Sequence, residues 1–261
     1  MGPSMTLEPS VMEPPSPGSF GGHWFEGLAD VMGPSYLRYS FTKGTEQEVG
    51  FLAEALTLRP GDSMLDVGCG PGRHCLAFAR RGITVTGVDI SQTFVDLATE
   101  SAQAESLPAL FRRTDARELD DEGRFDAVIS LCQGGFGLLG RDEDGAADGD
   151  VLTRMARALK PGGRLALSAF SAYFQLRHLE DSDSFDAATG VNHELTEVRG
   201  EAGAVPADLW TTCFTPRELR LLAERGGLIV DHVWSVTPGR YERNRPVVDQ
   251  PEFLLLARKP A

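Results

Sequence analysis

The stretch LDVGCGPGRHCLAFARRGITVTGVDIS, residues 65 to 91, constrains the fold more than any other part of this 261-residue chain. A short apolar run leads through three closely spaced glycines into a helix-forming segment, and a second apolar run ends on an acid. That order is one nucleotide-binding βαβ half. Leu65 and Val67 flank Asp66, and the chain must then turn sharply into the helix that carries Leu76, Ala77 and Phe78. Gly68, Gly70 and Gly72 make the turn sterically accessible and let the backbone approach a ligand closely. Amide hydrogens at the positive end of the following helix would then face that ligand. Asp89, about 20 residues beyond Gly68, is placed to accept hydrogen bonds from ribose hydroxyls.

The glycine spacing separates two cofactor classes. Dinucleotide enzymes need G-x-G-x-x-G, whereas Gly68, Gly70 and Gly72 read G-x-G-x-G with Asp66 before them. A carboxylate there repels a pyrophosphate and favours a cationic ligand such as the ammonium group of an amino acid.

These residues resemble motif I of class I S-adenosylmethionine-dependent methyltransferases, and "LKPGG" at residues 159 to 163 is a further hallmark of that family. The resemblance covers residues 35 to 170 well and the remainder loosely. It implies that Asp66, Gly68 and Gly70 line the methionine part of the cofactor, that Cys69 and Arg73 also belong to the cofactor site, and that Asp89 holds the ribose. Ile90 would pack on the adenine, and Asp115, next to Ala116, would accept a hydrogen bond from the adenine amino group. An acid after a strand can equally cap a turn. Leu131, Cys132 and Gln133, where an apolar fourth strand opens into a glycine-rich loop, would lie beside the methyl group. Phe136 either walls the substrate side or fills the core.

The implied fold is α/β, a Rossmann-like seven-stranded sheet, mostly parallel with an antiparallel last strand. Residues 1 to 19, rich in Pro, Ser and Gly, are expected to be disordered. Residues 20 to 261 would form one methyltransferase domain, with N-terminal lid helices over residues 20 to 58. There Val49, Leu52, Ala53 and Leu56 make one helical stripe that Thr42 or Thr45 could cap. Tyr36, Arg38, Tyr39 and Phe41 are candidates to cover the cofactor, or else they anchor the extra helix to the sheet. Residues 170 to 212 would be a substrate cap, in which VNHELTEVRG and ADLWTTCFT alternate polar and apolar residues about a turn, EAGAVP. Thr215-Pro216-Arg217-Glu218 has the capping-box pattern, LIVDHVWSV reads as the sixth strand and PEFLLLARK as the seventh.

A formal charge of −13 without a basic cluster argues against nucleic acid as a partner and leaves a small-molecule substrate. Cys69, Cys75, Cys132 and Cys213 are scattered, so no zinc or iron–sulfur site is expected. The five acids Asp142, Glu143, Asp144, Asp148 and Asp150 fail the calcium-loop pattern and suit a helix N-terminus instead. No long uncharged apolar run or signal-peptide pattern occurs, which gives a cytoplasmic expectation with no membrane partner. Oligomeric state is not readable.

Methyl transfer is an in-line displacement in which positioning supplies most of the acceleration. A general base is optional. His193 on the hairpin and Tyr173 after the fifth strand are the chosen candidates, with Glu194, His178 and His23 behind them. Adjacent strand residues face opposite sides, so only one of His193 and Glu194 can point inward. His74 reads as packing or cofactor shell, and His232 as a buried mid-strand histidine. The alternatives are aminopropyl transfer, a nucleotide-dependent oxidoreductase or a non-catalytic nucleotide-binding module.

Overall fold

The structure is a computed structural model that describes residues 23–132, 134–138, 140 and 146–261. The expected tail at residues 1–19, the site candidate Gln133 and the acids Asp142, Glu143 and Asp144 lie outside those residues.

The βαβ half forms as expected. Strand β1 (Ser63–Val67) leads through the glycine turn into α3 (Arg73–Arg80), and β2 (Thr84–Asp89) returns parallel to β1. Helix α4 (Gln92–Ala104), capped by the Ser91 side chain on Phe94 N, leads to β3 (Ala109–Arg113), and β4 (Phe125–Ser130) pairs with the other edge of β1. Helix α5 (Ala146–Ala158) and β5 (Leu159–Phe170) follow. Pro161, Gly162 and Gly163 thus fall inside the bounds of β5 rather than ahead of it. Helix α7 (Pro216–Arg225) begins with the full Thr215/Glu218 capping box, and β9 (Ile229–Thr237) and β11 (Glu252–Arg258) complete the expected seven strands. Strand β11 runs antiparallel to β5 and β9.

The sheet has eight strands, because β10 (Arg240–Asn244) pairs with β9 at the edge. Sequence pattern missed RYERN because it lacks alternation. Its one large apolar residue, Tyr241, is buried. The Gln47 side chain of α2 (Thr45–Ala55) bonds both the N–H and the C=O of Tyr241, replacing a neighbouring strand. The full order is β10-β9-β11-β5-β4-β1-β2-β3. Strands β2 and β4 leave β1 on opposite sides, so the crevice beyond their carboxyl ends is the topological switch point where ligands sit in such sheets.

Two apolar layers hold the sheet. Val49 and Leu52 of α2, Cys75 and Phe78 of α3 and Val95 and Ala98 of α4 cover one face. Val151, Leu152 and Met155 of α5 and Leu219 and Ala223 of α7 cover the other. A third, smaller cluster joins Ala29 and Met32 of α1 (Trp24–Met32) to Phe94 of α4 and to Val198 and Ala207 of the inserted segment. That segment holds α6 (Ala172–Arg177) and a separate sheet of β6 (Asp183–Asp186), β7 (Val191–Gly200) and β8 (Gly203–Thr212). The expected hairpin is therefore three-stranded, and Glu201-Ala202 alone make its turn, since Gly203 to Pro206 already pair with β7. No threonine caps α2; Thr45 Oγ1 instead donates to Thr42 O.

Glu48, fully buried on α2, ties three elements together. Its Oε2 accepts from Arg73 Nη1 and His74 Nε2, each at 2.7 Å, and its Oε1 accepts from Gly239 N at 2.7 Å. Burial alone would raise the carboxyl, but His74 and Arg73 outweigh it and hold Glu48 at about 2. Burial pulls His74 down to about 4, so it meets the carboxylate as a neutral donor. Removing one partner of such a buried group costs about 3–5 kcal/mol. Glu48→Ala is expected to lower the unfolding free energy by about that amount in urea titrations at pH 7. A group held below its unfolded pKa stabilises above the unfolded value and loses that contribution as pH falls. The gap between wild type and Glu48→Ala should accordingly shrink between about pH 5 and pH 2.

Candidate active site

The glycine turn is held by short backbone bonds. Gly68 N and Cys69 N both donate to Val88 O, at 2.8 and 3.0 Å, and Gly70 N donates to Asp89 Oδ2 at 2.8 Å. Gly68, Gly70 and Gly72 all have positive φ, at 76°, 54° and 81°. At Gly68 the need is twofold, since a Cβ there would stand 1.8 Å from the carbonyl carbon of Gly134. The loop after β4 thus lies directly on the turn. Asp89 is 5 % exposed, and its second oxygen accepts from Ser91 N. Burial raises its carboxyl to about 6 against the pull of these amides.

Two connected spaces open at this point. A narrow cleft of about 30 Å³ is lined by Ile90, Asp115 and Ala116 with His23 and Thr114, and it shares Gly68, Asp89 and Gly134 with a cavity of about 370 Å³. The wide cavity is walled by Trp24, Phe25, Tyr36, Tyr39, Phe41 and Phe94, closed above by Thr196, Val198, Leu209 and Thr211 of the β7–β8 hairpin, and floored by Cys132, Phe170 and Glu252. The N-terminal aromatics therefore do both things expected of them. They line the cavity, and with Phe94 they hold α1 against the hairpin.

The structure sorts the sequence candidates. Gly68, Gly70, Asp89, Ile90, Asp115, Ala116, Cys132 and Tyr36 line one or both spaces. Asp115 is engaged by its own neighbour, accepting from Arg117 N, Nε and Nη2. Burial would raise it, but Arg117 keeps it below its ordinary range. Asp66 lies beneath the turn rather than in the cavity, 1 % exposed, and accepts from Cys75 Sγ at 3.2 Å. Burial lifts it to about 7, which weakens its role as a lure for a cation. Cys69 and Leu131 are buried in the core layer. Arg73 reinforces the site from behind, with Nη1 on Thr45 Oγ1 and Glu48 and Nη2 on Cys132 Sγ at 2.9 Å. Arg38 is exposed and outside both spaces.

The catalytic candidates fall away from the cavity. His193 occupies the outer face of the hairpin, where it bonds Asp208 at 2.7 Å and stacks on Trp210 at 4.5 Å. The inward face carries Asn192, Glu194, Thr196 and Val198, so strand alternation gives the inward position to Glu194. Tyr173 is exposed on α6, edge-on to Phe253. Phe136 stacks on Phe214 at 4.7 Å in the core. His232 is exposed on Trp234 rather than buried, and His178 packs on Phe174. His23 lines the cleft, with burial lowering its pKa. Asp148 accepts from Gly137 N at 2.7 Å, which ties α5 to the loop after β4.

Glu252 and Phe170 were not among the sequence candidates. An acid heading an apolar strand reads as a solvent-facing strand end, and nothing local signals that β5 and β9 enclose it.

Residues 64–163 match the family model described as a methyltransferase domain. Ubiquinone biosynthesis O-methyltransferase of Bartonella tribocorum is 39% identical over 84 residues, 31% of this chain and 34% of that protein. The Coxiella burnetii protein of the same name is 32% identical over 126 residues, 48% of this chain and 50% of that one. The chain thus spans a third to a half of the length of these curated relatives. Among solved structures, the CcbJ methyltransferase from Streptomyces caelestis superimposes with a TM-score of 0.73 at 22% identity, over 90% of this chain and 98% of that one. An S-adenosylmethionine-dependent methyltransferase from Clostridium acetobutylicum does so at 0.66 and 15%, over 87% and 95%. The fold is that of the Rossmann-like methyltransferases.

A substitution pair separates conformational strain from the contact at the turn. Gly123 has φ 60° with open space around it, whereas Gly68 combines φ 76° with the Gly134 backbone. Gly123→Ala is expected to cost about 1–2 kcal/mol. Gly68→Ala should cost clearly more in the same urea titration.

Proposed function

We propose that this chain, whose residues 64–163 form a methyltransferase domain, transfers a methyl group from S-adenosylmethionine to a small-molecule acceptor held in the aromatic cavity. The observation that carries the reading is the meeting of Gly68, Gly70 and Asp89 with that cavity. The residues fit the cofactor. Backbone without a side chain at Gly70 faces the Tyr36 ring, which lies 3.8 Å from where a Cβ would stand. Asp89 supplies a buried carboxylate at the end of β2, where ribose hydroxyls are read. Ile90 and Ala116 offer apolar walls for a purine, and Gly134 and Gly135 bound a cleft that must widen to take one.

When bound, the cofactor supplies an already activated methyl group on a sulfonium. The protein's part is to position. Cys132, fixed through its N–H to Ser168 Oγ at 2.8 Å and through its Sγ to Arg73, forms the floor between cofactor and acceptor. The α1 segment and the hairpin form the roof over the acceptor side. The inserted residues 170–212 therefore act as the acceptor cap. The large apolar area of the walls favours an acceptor with an aromatic or aliphatic body. In support, the curated relatives are O-methyltransferases by name.

Calorimetric titration with S-adenosylhomocysteine tests the reading without knowledge of the acceptor. Saturable binding is expected, weakened about tenfold to a hundredfold in Asp89→Ala through loss of a charge-assisted hydrogen-bond partner. Absence of binding to folded wild-type protein would refute it.

A further inference from the structure

Glu252 is the least expected residue of the cavity. It opens β11 opposite Phe170 of β5 and Val236 of β9, is 2 % exposed, and lines the cavity. Its Oε2 is buried with no hydrogen-bond partner. An unpaired carboxylate oxygen in such a place costs several times what a surface acid costs, unless something pairs with it.

The surroundings narrow what that something is. Among the described lining residues of the cavity the charged ones are Asp89, Glu197 and Glu252, and none is Lys, Arg or His. Asp89, whose oxygens each accept one backbone N–H, is committed to the ribose in the methyltransferase reading, and Glu197 lies on the outward-facing register of β7. Glu252 is the lining carboxylate that keeps an unpartnered oxygen, Oε2, which lies behind the cavity surface. The walls around it are aromatic faces, which attract cations through their quadrupoles. A phosphate or carboxylate group would meet only like charge here.

We propose that Glu252 anchors the methyl acceptor, and that the acceptor is a primary or secondary amine on an apolar body with its N–H directed at the Glu252 carboxylate. The assignment rests on the methyltransferase reading for the word acceptor, though not for the amine site itself. As the ammonium group gives up its proton, the N–H electron pair stays on nitrogen as the lone pair a nucleophile needs. The proton forms an O–H bond with the Glu252 carboxylate and later returns to solvent.

The neighbourhood suits a proton-taking carboxylate. Burial raises Glu252 to about 7, with Ser168 and Arg73 drawing it down and Glu48 pushing it up. The other groups facing it hold their charge near neutrality. Arg73 on α3 stays cationic and Glu48 on α2, at about 2, stays anionic. The Cys132 thiol and the Tyr241 hydroxyl, both raised by burial, stay neutral. Between pH 6 and pH 8 Glu252 changes charge on this floor, and of the other carboxyls at the site Asp66, at about 7, and Asp89, at about 6, titrate in or near the same range.

The test compares 3-phenylpropylamine, 3-phenylpropan-1-ol and 3-phenylpropanoate, which share one body, by calorimetry on the full chain with and without S-adenosylhomocysteine. At pH 8 the amine should bind about tenfold or more tighter than the alcohol, and the carboxylate weakest. The amine's advantage should collapse in wild type at pH 6, where the amine keeps its charge but Glu252 loses its own. It should also collapse in Glu252→Gln at pH 8, with affinity for S-adenosylhomocysteine within twofold of wild type. Should Glu252→Gln not fold, Asp66→Asn and Asp89→Asn decide the matter without S-adenosylhomocysteine, since each should keep the amine preference at pH 8 and its loss at pH 6, and abolition of that pH effect in either overturns the proposal. Equal affinity for amine and alcohol at pH 8, or no binding of any of the three, overturns the proposal. So does a Glu252→Gln protein that loses S-adenosylhomocysteine affinity while keeping the amine preference, because Glu252 would then serve the cofactor's own ammonium group. An amine preference without any S-adenosylhomocysteine binding would refute the methyltransferase reading and leave the amine site standing.

Discussion

The contact between two backbones, at Gly68 and Gly134, is the constraint on which the site depends. The glycine turn bonds to Val88 O and Asp89 on one side and lies against the loop after β4 on the other. A side chain at either glycine would push the loops apart, since a Cβ on Gly134 would stand 2.1 Å from Gly68 O. Because β2 and β4 flank β1 on opposite sides, this contact sits at the switch point of the sheet. The cleft and the cavity meet there, so one piece of backbone geometry sets where a nucleotide-like ligand ends and where a second ligand begins.

The second structural device is the buried Glu48. It joins α2 to the first turn of α3 and to the β9–β10 turn, and through Arg73 it reaches Cys132 on the cavity floor. The N-terminal segment is therefore no loose cover. Its helix α2 is bonded into the sheet edge, while α1 packs on the inserted hairpin, and the aromatics between them wall the cavity. A lid assembled this way depends on the same buried charge network that orients the glycine turn.

The legibility of the sequence followed the locality of the signal. The glycine turn, Asp89 at the end of β2 and the α7 capping box are each written within a few residues, and all are found in the structure. What failed was decided by distant packing. His193 looked available, but strand alternation and Asp208 place it outside. Asp66 looked like a cation lure, but Cys75 covers it. Strand β10 carries no alternation and exists because Gln47 pairs with its backbone. Glu252 carries no local signal in the sequence, and only the enclosure by β5 and β9 makes it a buried, half-partnered acid.

The central claim is that one continuous space holds the adenosyl cofactor at its narrow end and the acceptor at its aromatic end. A crystal structure with S-adenosylhomocysteine bound tests it most directly. The account predicts the ribose on Asp89, the purine between Ile90 and Ala116 in a widened cleft, and the sulfur at Cys132 facing the cavity beneath the hairpin. A ligand bound elsewhere, or one whose sulfur points away from that cavity, would contradict it.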